Sequence, residues 1–539
     1  MRVLLINSNR EQSPWPAAPI GLSMVACATE ADGHEVSFLD LAFARNPAAD
    51  TRKRVAEFGP DVIGVSIRNL DNCNFDAPRF YLDEIRDEVI RVAREALPNK
   101  SAKIVIGGAA VNLAPWDILH HVEADYALAG EGEQALPTFL RALQDGADLR
   151  RVPGVLDKAG TMPALSLAPQ FGGDRVFRGE PPAGRSLVDD FDVRGKSELY
   201  RWVDWPTYVA NGAPYPIQTK RGCALRCVYC AYNNIEGRTY RTRNPKLIAD
   251  EIEQVVKEYG VRYIDFVDST FNIPAPHAIG LCDELASRKL PDDLQLSTMG
   301  INPAVMPTEL LESMKRAGFE NLMCTPESAS NVTLKSLKKG FDRDQVIFAA
   351  EQLKKANMKT LWFFMFGAPG ETVDTIKESL DFCEHHMSPN DVALFTAGIR
   401  VYPGTPLEKQ CKEEGWFAQD DNLLQPSWYV APTIDVADMY RLLIEGAIDH
   451  PNWMTAAEGI LNPGMVSFVE RSYRFFGGKA PLWSKMPGLF RFMSKMGIRK
   501  KILLRMNDLL VSRTPQQLPM AMSAAAAVSK AESAKRAEA

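Results

Sequence analysis

The sequence has 539 residues, 46% of them apolar and 24% charged, with a formal net charge of −6. This length predicts two or three domains, and no run approaches the roughly 18–20 uncharged apolar residues of a membrane-spanning helix. The first residues turn polar too soon for a secretory signal. We therefore expect a cytoplasmic protein whose nine cysteines are thiols or metal ligands rather than disulfides.

The first 150 residues alternate short apolar runs with amphipathic stretches. The runs predict five strands, at Arg2–Asn7, Glu35–Leu41, Asp61–Ile67, Lys103–Ile106 and Tyr126–Ala129. Strands that alternate with helices predict an α/β fold, here a flavodoxin-like, doubly wound parallel sheet. Such sheets bind ligands at the carboxyl ends of their strands, where the strand order reverses.

The rest of the chain divides by composition and periodicity. Residues 151–214 are rich in proline and glycine and predict a linker. Six β/α units over residues 215–415 favour a partial (β/α)6 barrel, although the pattern alone does not separate a barrel from a second open sheet. We expect a mostly helical region over residues 416–512 and a disordered tail over residues 513–539.

Three cysteines, Cys223, Cys227 and Cys230, form a C-x3-C-x2-C motif just after the first strand of the predicted barrel. Thiolates are the soft ligands that iron–sulfur clusters and zinc both prefer. A structural zinc site usually takes four ligands in paired units, and no fourth cysteine or histidine stands nearby. A four-iron cluster bound by three cysteines would keep one iron free for a small molecule.

This motif, with the aromatic Tyr229 before its last cysteine, resembles the radical S-adenosylmethionine superfamily. Four further segments in the expected order resemble the strand ends and turns of that family: Tyr263–Asn272, Glu327-Ser328, Phe366–Thr372 and Tyr402–Pro406. Thr325-Pro326 stand where glycine-containing forms are commoner. The resemblance covers most of residues 215–415 and implies the partial barrel.

The resemblance also implies a [4Fe–4S] cluster on the three cysteines, with S-adenosylmethionine bound to the free iron. Cleavage of the carbon–sulfur bond would give a 5′-deoxyadenosyl radical. Tyr229 would lie against the adenine, Glu327 and Ser328 would contact the ribose or the methionine end, and Asp268 is a weaker candidate. Gly367 would allow the backbone to approach the nucleoside closely. The alternative for Glu327 is a strand-end carboxylate paired with a nearby arginine.

The amino-terminal domain resembles the cobalamin-binding module of the cobalamin-dependent radical S-adenosylmethionine subfamily. The similarity rests on Pro19–Leu22 and on two turns that would contact the cofactor, which contain Gly107, Gly108, Gly130, Glu131 and Gly132. The D-x-H-x-x-G motif that supplies an axial histidine to cobalt is absent, so cobalamin is expected to bind without one. Arg68, Asn69 and Leu70 would then face the lower side of the corrin. The alternative is a vestigial domain that only packs against the barrel.

A basic segment near the carboxyl terminus stands apart from the acidic remainder. Between Arg471 and Arg513 there are eleven Lys or Arg residues against one acid, Asp508. An amphipathic helix is predicted up to Gly497. We expect this segment to dock on the acidic remainder of the chain; peripheral membrane contact through residues 479–513 is the alternative, and no recognised nucleic-acid module accompanies the charge.

The combined resemblance implies a cobalamin-dependent radical methyltransferase that methylates an unactivated carbon with methylcobalamin. The alternatives are an oxidase or cyclase of the same fold, and a non-catalytic cobalamin or redox sensor. Small-molecule, lipid and peptide substrates all remain open. The electron would come from a donor such as a flavodoxin or a ferredoxin.

Overall fold

The computed structural model describes residues 1–12, 15–158, 188, 200–460, 472–473 and 482–517. Its first half is built on six strands: β1 (Arg2–Asn7), β2 (Glu35–Asp40), β3 (Val62–Ser66), β4 (Lys103–Gly107), β5 (Tyr126–Leu128) and β6 (Val155–Asp157). The α-helices around them are α1 (Ile20–Ala31), α2 (Pro47–Phe58), α3 (Pro115–Val122) and α4 (Gly132–Gln144). A further helix is formed by the segments Leu82–Glu84, Ile85–Ile90 and Arg91–Ala96, the middle one a π-helix.

The strand order is β2-β1-β3-β4-β5-β6, with β1 to β5 parallel and β6 antiparallel at one edge. This order is flavodoxin-like and confirms the predicted fold class. Local signals set the helix ends. The side chain of Asn46 caps α2 by accepting from the backbone N–H of Ala49, and Gly59 ends the helix in the left-handed conformation.

The second half begins after a short helix, α5 (Trp205–Ala210). Its strands are β7 (Tyr215–Ile217), β8 (Lys220–Arg221), β9 (Arg241–Thr242), β10 (Tyr263–Phe266), β11 (Gln295–Thr298), β12 (Asn321–Glu327), β13 (Lys359–Phe366), β14 (Val392–Ala397), β15 (Ile399–Arg400), β16 (Trp428–Tyr429) and β17 (Trp453–Thr455). Its helices are α6 (Tyr232–Glu236), α7 (Pro245–Tyr259), α8 (Ala275–Ala286), α9 (Thr308–Arg316), α10 (Asn331–Ser336), α11 (Arg343–Lys355), α12 (Val373–His385), α13 (Pro406–Glu413), α14 (Val436–Asp449), α15 (Ala456–Ile460), α16 (Met486–Lys495) and α17 (Ile498–Gln517).

Parallel strands in this half form an open barrel. One sheet has the order β11-β10-β7 and the other β12-β13-β14-β17, and single bridges from Leu296 to Phe319 and from Ile301 to Cys324 join them. Six of these strands are the predicted ones. The seventh, β17, comes from the region expected to be helical and pairs in parallel with β14.

The two halves share their hydrophobic cores. Cys27 and Ala42 of the amino-terminal half belong to the main cluster of the barrel. In the other direction, Ala231 and Leu424 of the second half are buried in the cluster behind the first sheet. The two halves therefore pack directly on each other.

Several predicted features are short or lie outside the described residues. Strand β6 and helix α5 fall within the segment predicted to be a linker, most of which is not described. Residues 518–539 of the predicted tail are also outside the described part, so the proposed domain boundaries stay predictions. Among the described helices, none combines the length and apolar character that crossing a bilayer requires.

Candidate active site

The three cysteines follow β8 in a loop held from both sides. Gly222 opens the loop with φ 87°, and a Cβ there would overlap a neighbouring backbone carbonyl, so glycine is required. The backbone N–H of Cys223 donates to the carbonyl of Gly237 at 3.0 Å. Cys223 and Cys227 are buried and Cys230 is half-buried. The loop thus encloses the thiols while leaving one side accessible.

Burial sets the pKa of two of the three thiols. Burial raises the pKa of Cys230 to about 12, and the charge of Cys227 adds to the rise. Burial also raises the pKa of Cys227, although the charge of Lys339 opposes it. Thiols in such surroundings become thiolates when a metal shares their charge.

The number of cysteines in the loop indicates the kind of metal group. A structural zinc site usually takes four protein ligands, and this loop supplies three cysteines. A [4Fe–4S] cluster spreads its thiolate ligands over separate irons. Three cysteines on one loop therefore fit a cluster that keeps one iron open.

A buried polar triad lies beside the thiols and contains two predicted residues, Tyr229 and Glu327. The Tyr229 hydroxyl donates to Glu327 Oε1 at 3.1 Å. Lys339 Nζ donates to the Tyr229 hydroxyl at 3.1 Å and lies 3.6 Å from Glu327 Oε1. Burial raises the pKa of Glu327 in spite of the Lys339 charge. These groups satisfy one another before any ligand binds.

The triad is close to the cluster loop. Burial acts to lower the pKa of Lys339, but the charges of Glu327, Cys227 and Cys230 raise it overall. Glu327 has φ 67° at an irregularity in the register between β12 and β13. This left-handed backbone is uncommon for a residue other than glycine and marks strained positions at functional sites.

Two other predicted residues have structural partners. The buried Asp268 carboxylate accepts from the Thr219 backbone N–H at 2.7 Å and from Lys220 Nζ at 3.0 Å, so it fixes the strand that leads into the cluster loop. The Ser328 hydroxyl shares a hydrogen bond of 3.1 Å with Ser379 on α12. Their contact with S-adenosylmethionine stays a prediction.

The turn at Gly367 is held by a buried carboxyl group. Gly367 has φ 101°, and its backbone N–H and that of Ala368 both donate to Glu371 Oε2, at 2.5 and 2.9 Å. Burial raises the pKa of Glu371 to about 7. Thr372 then caps α12 by a reciprocal pair of hydrogen bonds with Thr375. The turn is thus rigid and presents backbone at the open end of the barrel.

The predicted cobalamin turns meet at the carboxyl edge of the first sheet. Gly108 has φ 104°, and a Cβ there would collide with the Ile67 carbonyl. Asn112 links this turn to the next, because its side chain accepts from the Gly130 N–H at 2.6 Å and donates to the Gly108 carbonyl at 3.4 Å. A Cβ at Gly132 would press on the side chain of Val25, whereas one at Gly107 would make only an ordinary contact, 4.0 Å from the Leu128 carbonyl oxygen.

A small open cleft lies at the same edge, between the ends of β1 and β3. Its lining includes Ser8 and Asn9 after β1, and Arg68 and Asn69 after β3. The strand order reverses between β1 and β3, so the cleft is at the switch point where doubly wound sheets bind ligands. Leu70 is buried in the core of this domain instead.

The loop that follows Leu70 plugs into the barrel domain. Asp71 forms a fully buried ion pair with Arg400 at 2.7 Å. The Tyr440 hydroxyl donates to Asp76, and Phe75 packs edge-on against a tryptophan of β16 with the ring centres 5.6 Å apart. The loop expected under the corrin is therefore anchored to the second domain.

A second set of ion pairs joins the glycine turn to the cluster loop. Glu131 pairs with Arg241 at 2.6 Å and with Arg221 at 3.2 Å, while Glu133 pairs with Arg221 at 2.5 Å. Arg221 stands two residues before Cys223. Because the Glu131 side chain is engaged in this way, a cobalamin contact at that position would use its backbone and stays a prediction.

Comparison with known protein families identifies both halves. Residues 12–140 match the B12 binding domain, and residues 217–383 match the Radical SAM superfamily. The chain thus joins a B12-binding domain to a radical S-adenosylmethionine domain. The two matched domains indicate a radical S-adenosylmethionine enzyme with a B12-binding domain, and they confirm the predicted cofactors: a [4Fe–4S] cluster, S-adenosylmethionine and cobalamin.

Individual relatives have low sequence identity to this chain but match it over most of its length. The chain is 25% identical over 462 residues to a tryptophan 2-C-methyltransferase of Streptomyces laurentii, covering 76% of this chain and 74% of that protein. It is 25% identical over 398 residues to an anaerobic magnesium-protoporphyrin IX monomethyl ester cyclase of Cereibacter sphaeroides. This match covers 70% of this chain and 59% of that protein.

A solved structure shares the fold over almost the whole chain. The radical S-adenosylmethionine methyltransferase TsrM of Kitasatospora setae, with cobalamin and a [4Fe–4S] cluster bound, superposes with a TM-score of 0.76 at 23% identity. The match covers 94% of this chain and 99% of that one. This similarity confirms the order of the domains and the partial barrel.

Four functional residues escaped the sequence analysis: Lys339, Asn112, Arg221 and Arg400. Lys339 could have been found from Glu327, since a carboxylate buried at a strand end needs a cation and Lys338-Lys339 follow the next helix. Arg400 carries no such signal, because its partner Asp71 is 329 residues away.

Proposed function

We propose that this enzyme transfers a methyl group to a carbon atom of its substrate. One observation carries the proposal: the cluster loop packs directly on the cobalamin edge of the first domain. Ala231, which follows Cys230, is buried with Ala110 and Val111 of the turn after β4. Cofactors held by these two edges would face one chamber, as a transfer from one to the other requires.

The chain's own residues prepare this chamber. When bound, the cluster supplies the electron that cleaves S-adenosylmethionine, and cobalamin supplies the methyl group. The charges of Glu327 and Lys339 both act on the thiol of Cys227, so we assign them to the polar groups of S-adenosylmethionine. The Tyr229 hydroxyl orients both of them, and its ring would cover the adenine. Arg68 and Asn69 would lie below the corrin, where no histidine is available.

Oxidation or ring closure without methyl transfer is the second candidate. It is supported by the similarity to a magnesium-protoporphyrin cyclase over 70% of this chain. Both candidates need the same cluster loop and the same triad at Glu327, so the fold does not separate them. Their products do.

The substrate class follows from the relatives only in outline. TsrM was solved with tryptophan and a S-adenosylmethionine analogue bound, and the S. laurentii relative methylates tryptophan. We propose a small molecule with an aromatic or extended apolar part. A flavodoxin or ferredoxin is the proposed electron donor in a cytoplasmic setting, where the nine free thiols would remain reduced.

The test is anaerobic reconstitution with iron, sulfide and cobalamin, followed by visible spectra and mass analysis of the products. Protein is incubated with reduced flavodoxin, candidate substrates and S-adenosylmethionine carrying a deuterated methyl group. Radical methyl transfer predicts S-adenosylhomocysteine, 5′-deoxyadenosine and a labelled product. Deoxyadenosine without label transfer would favour the second candidate. Tight cofactor binding with no cleavage at all would indicate a sensor.

A further inference from the structure

The surface of α16 and α17 exposes large apolar side chains between cations. Of the eleven large hydrophobic residues that are exposed in the described chain, five fall within residues 489–504. We define the basic apolar patch as these five residues together with the exposed cations around them: Leu489, Phe492, Met496, Ile498 and Leu504, with Lys485, Arg491, Lys495, Lys500, Lys501 and Arg505. Phe492 and Met496 are 62% and 59% exposed.

The spacing places three of the apolar side chains in one stripe. Leu489, Phe492 and Met496 follow i, i+3, i+7 and lie on one face of α16, continued at the turn after it. Ile498 and Leu504 are exposed on the next helix. The exposed apolar side chains of the patch are therefore concentrated on two connected helices that contact each other.

The opposite face of the two helices is anchored to the barrel domain. Arg499 is buried, donates to the carbonyls of Ala447 and Trp453 at 2.8 and 2.5 Å, and lies over the ring of Phe490 at 4.1 Å. Leu503 belongs to the main hydrophobic cluster. The segment thus docks on the barrel domain through Arg499 and apolar packing, and the docking leaves the patch facing solvent.

Five of the six cations of the patch have no carboxylate partner among the described residues. Within that part of the chain, no carboxylate forms an ion pair with Lys485, Lys495, Lys500, Lys501 or Arg505. The sixth, Arg491, donates to the backbone carbonyl of Pro389 at 2.9 Å. One acid, Asp508, is exposed near the end of the patch. The side chains of all six cations are exposed.

We propose that the basic apolar patch binds the enzyme peripherally to an anionic membrane surface. Amphipathic helices at such surfaces place phenylalanine and leucine among the acyl chains while lysine and arginine meet the phosphate groups. A soluble acidic protein is the other kind of partner, but lysine is depleted in protein interfaces, and four of the six cations are lysines. The mixture fits a lipid surface better.

The position of the patch would also orient the barrel. Trp483, just before it, packs with Trp15 against Met323, Leu361 and Val392. The neighbouring strand residues pack outward against helices in the main cluster, so these side chains face the barrel interior, because strand residues alternate between faces. A bound membrane would lie next to the end of the barrel that Trp483 closes.

The test is sedimentation of the reconstituted protein with vesicles of phosphatidylcholine, with and without one third phosphatidylglycerol. We expect binding to the anionic vesicles that weakens with salt. Phe492→Ser with Met496→Ser, and separately Lys500→Glu with Lys501→Glu, should each reduce binding at least about tenfold. All four side chains are exposed, so the fold and the cofactor spectra should not change.

Phe348→Ser is the matched control, because Phe348 is 51% exposed on α11 and lies outside the patch. Its vesicle binding should equal that of the parent protein. Equal binding of the patch variants, or no binding to anionic vesicles, would overturn the proposal. If the protein does not bind vesicles and the lysine variants instead slow reduction of the cluster by flavodoxin, the patch is a docking site for an acidic protein. The binding is measured without substrate, so failure here leaves methyl transfer untouched.

Discussion

The two sides of the proposed chamber are built differently. On the barrel side, Tyr229, Glu327 and Lys339 bond to one another inside a single domain, and Asp268 and Lys220 form a buried pair below them. On the cobalamin side, the exposed Arg68 lines an open cleft. Its loop is fixed from the other domain, through Asp71 and Arg400. The barrel side is thus held by contacts within its own domain, whereas the cobalamin side depends on contacts from the barrel domain.

Cys223→Ala is expected to have the largest effect on the barrel side of the chamber. Two remaining thiolates do not hold the cluster, so visible cluster absorbance and S-adenosylmethionine cleavage should both be lost. Cys383→Ala, which removes an equally buried thiol from α12, is the control and should retain both. Retained absorbance in Cys223→Ala would remove the cluster from this loop.

Lys339→Met tests whether the triad organises itself. A buried carboxylate left without its cation should lower the free energy of unfolding by about 3–5 kcal/mol and weaken binding of S-adenosylmethionine. The double variant Glu327→Gln/Lys339→Met should regain most of the stability, but not the binding. Thermal unfolding and equilibrium dialysis measure the two effects, and additive losses in the double variant would show that the pair is not coupled.

Arg400→Met tests the dependence of the cobalamin side on the barrel domain. It leaves Asp71 buried without its partner, again at a cost of about 3 kcal/mol or more. Cobalamin content should fall further than iron content in the reconstituted protein. Arg441→Met removes a solvent-exposed cation whose ion pair is at the surface, and it should change neither. An equal fall of both cofactors in Arg400→Met would contradict the comparison.

Glu371→Gln tests how the stability of the barrel side depends on pH. The pKa of Glu371 is raised from 4.5 to about 7, so between these values the folded protein holds a proton that the unfolded chain releases. Stability therefore falls as pH rises from about 4.5 to 7 and stays level above, by at most about 3 kcal/mol. The glutamine variant, whose amide oxygen still accepts both backbone N–H groups, should flatten that fall. Urea unfolding at several pH values measures it.

The smallest effect comes from paired glycine changes in one turn. Gly108→Ala forces a side chain into left-handed backbone against the Ile67 carbonyl and should cost about 1–3 kcal/mol. A Cβ at Gly107 would make only an ordinary contact with the Leu128 carbonyl, so Gly107→Ala should leave the stability of the cofactor-free protein unchanged. If Gly107→Ala nevertheless weakens cobalamin binding, the corrin approaches this turn as predicted; unchanged binding would remove Gly107 from the contact.

The features that could be predicted from the sequence are local ones. The cysteine motif, the Gly367 turn and the parallel strands each lie in one short segment, so a pattern of residues reveals them. The seventh strand, Trp453–Thr455, has three residues and is too short to show an alternation. Ion pairs such as Asp71–Arg400 join distant segments, and a single sequence does not reveal which charges meet.

The sequence also assigned Asp268, Ser328 and Glu131 to cofactors because of where they stand along the chain. Position along the chain does not report what a side chain bonds to. In the structure the three are engaged by Lys220, Ser379 and arginines of the cluster loop.

The loop from Asp71 to Asp76 ties the first domain to the barrel domain. A cofactor domain on a hinge can move between two active sites, one that loads the cofactor and one that uses it. Here the buried pair with Arg400 and the shared hydrophobic clusters prevent such travel. We therefore expect cobalamin to be methylated and to pass its methyl group to the substrate in the same chamber. S-adenosylmethionine and the substrate would enter that chamber while the two domains keep their positions.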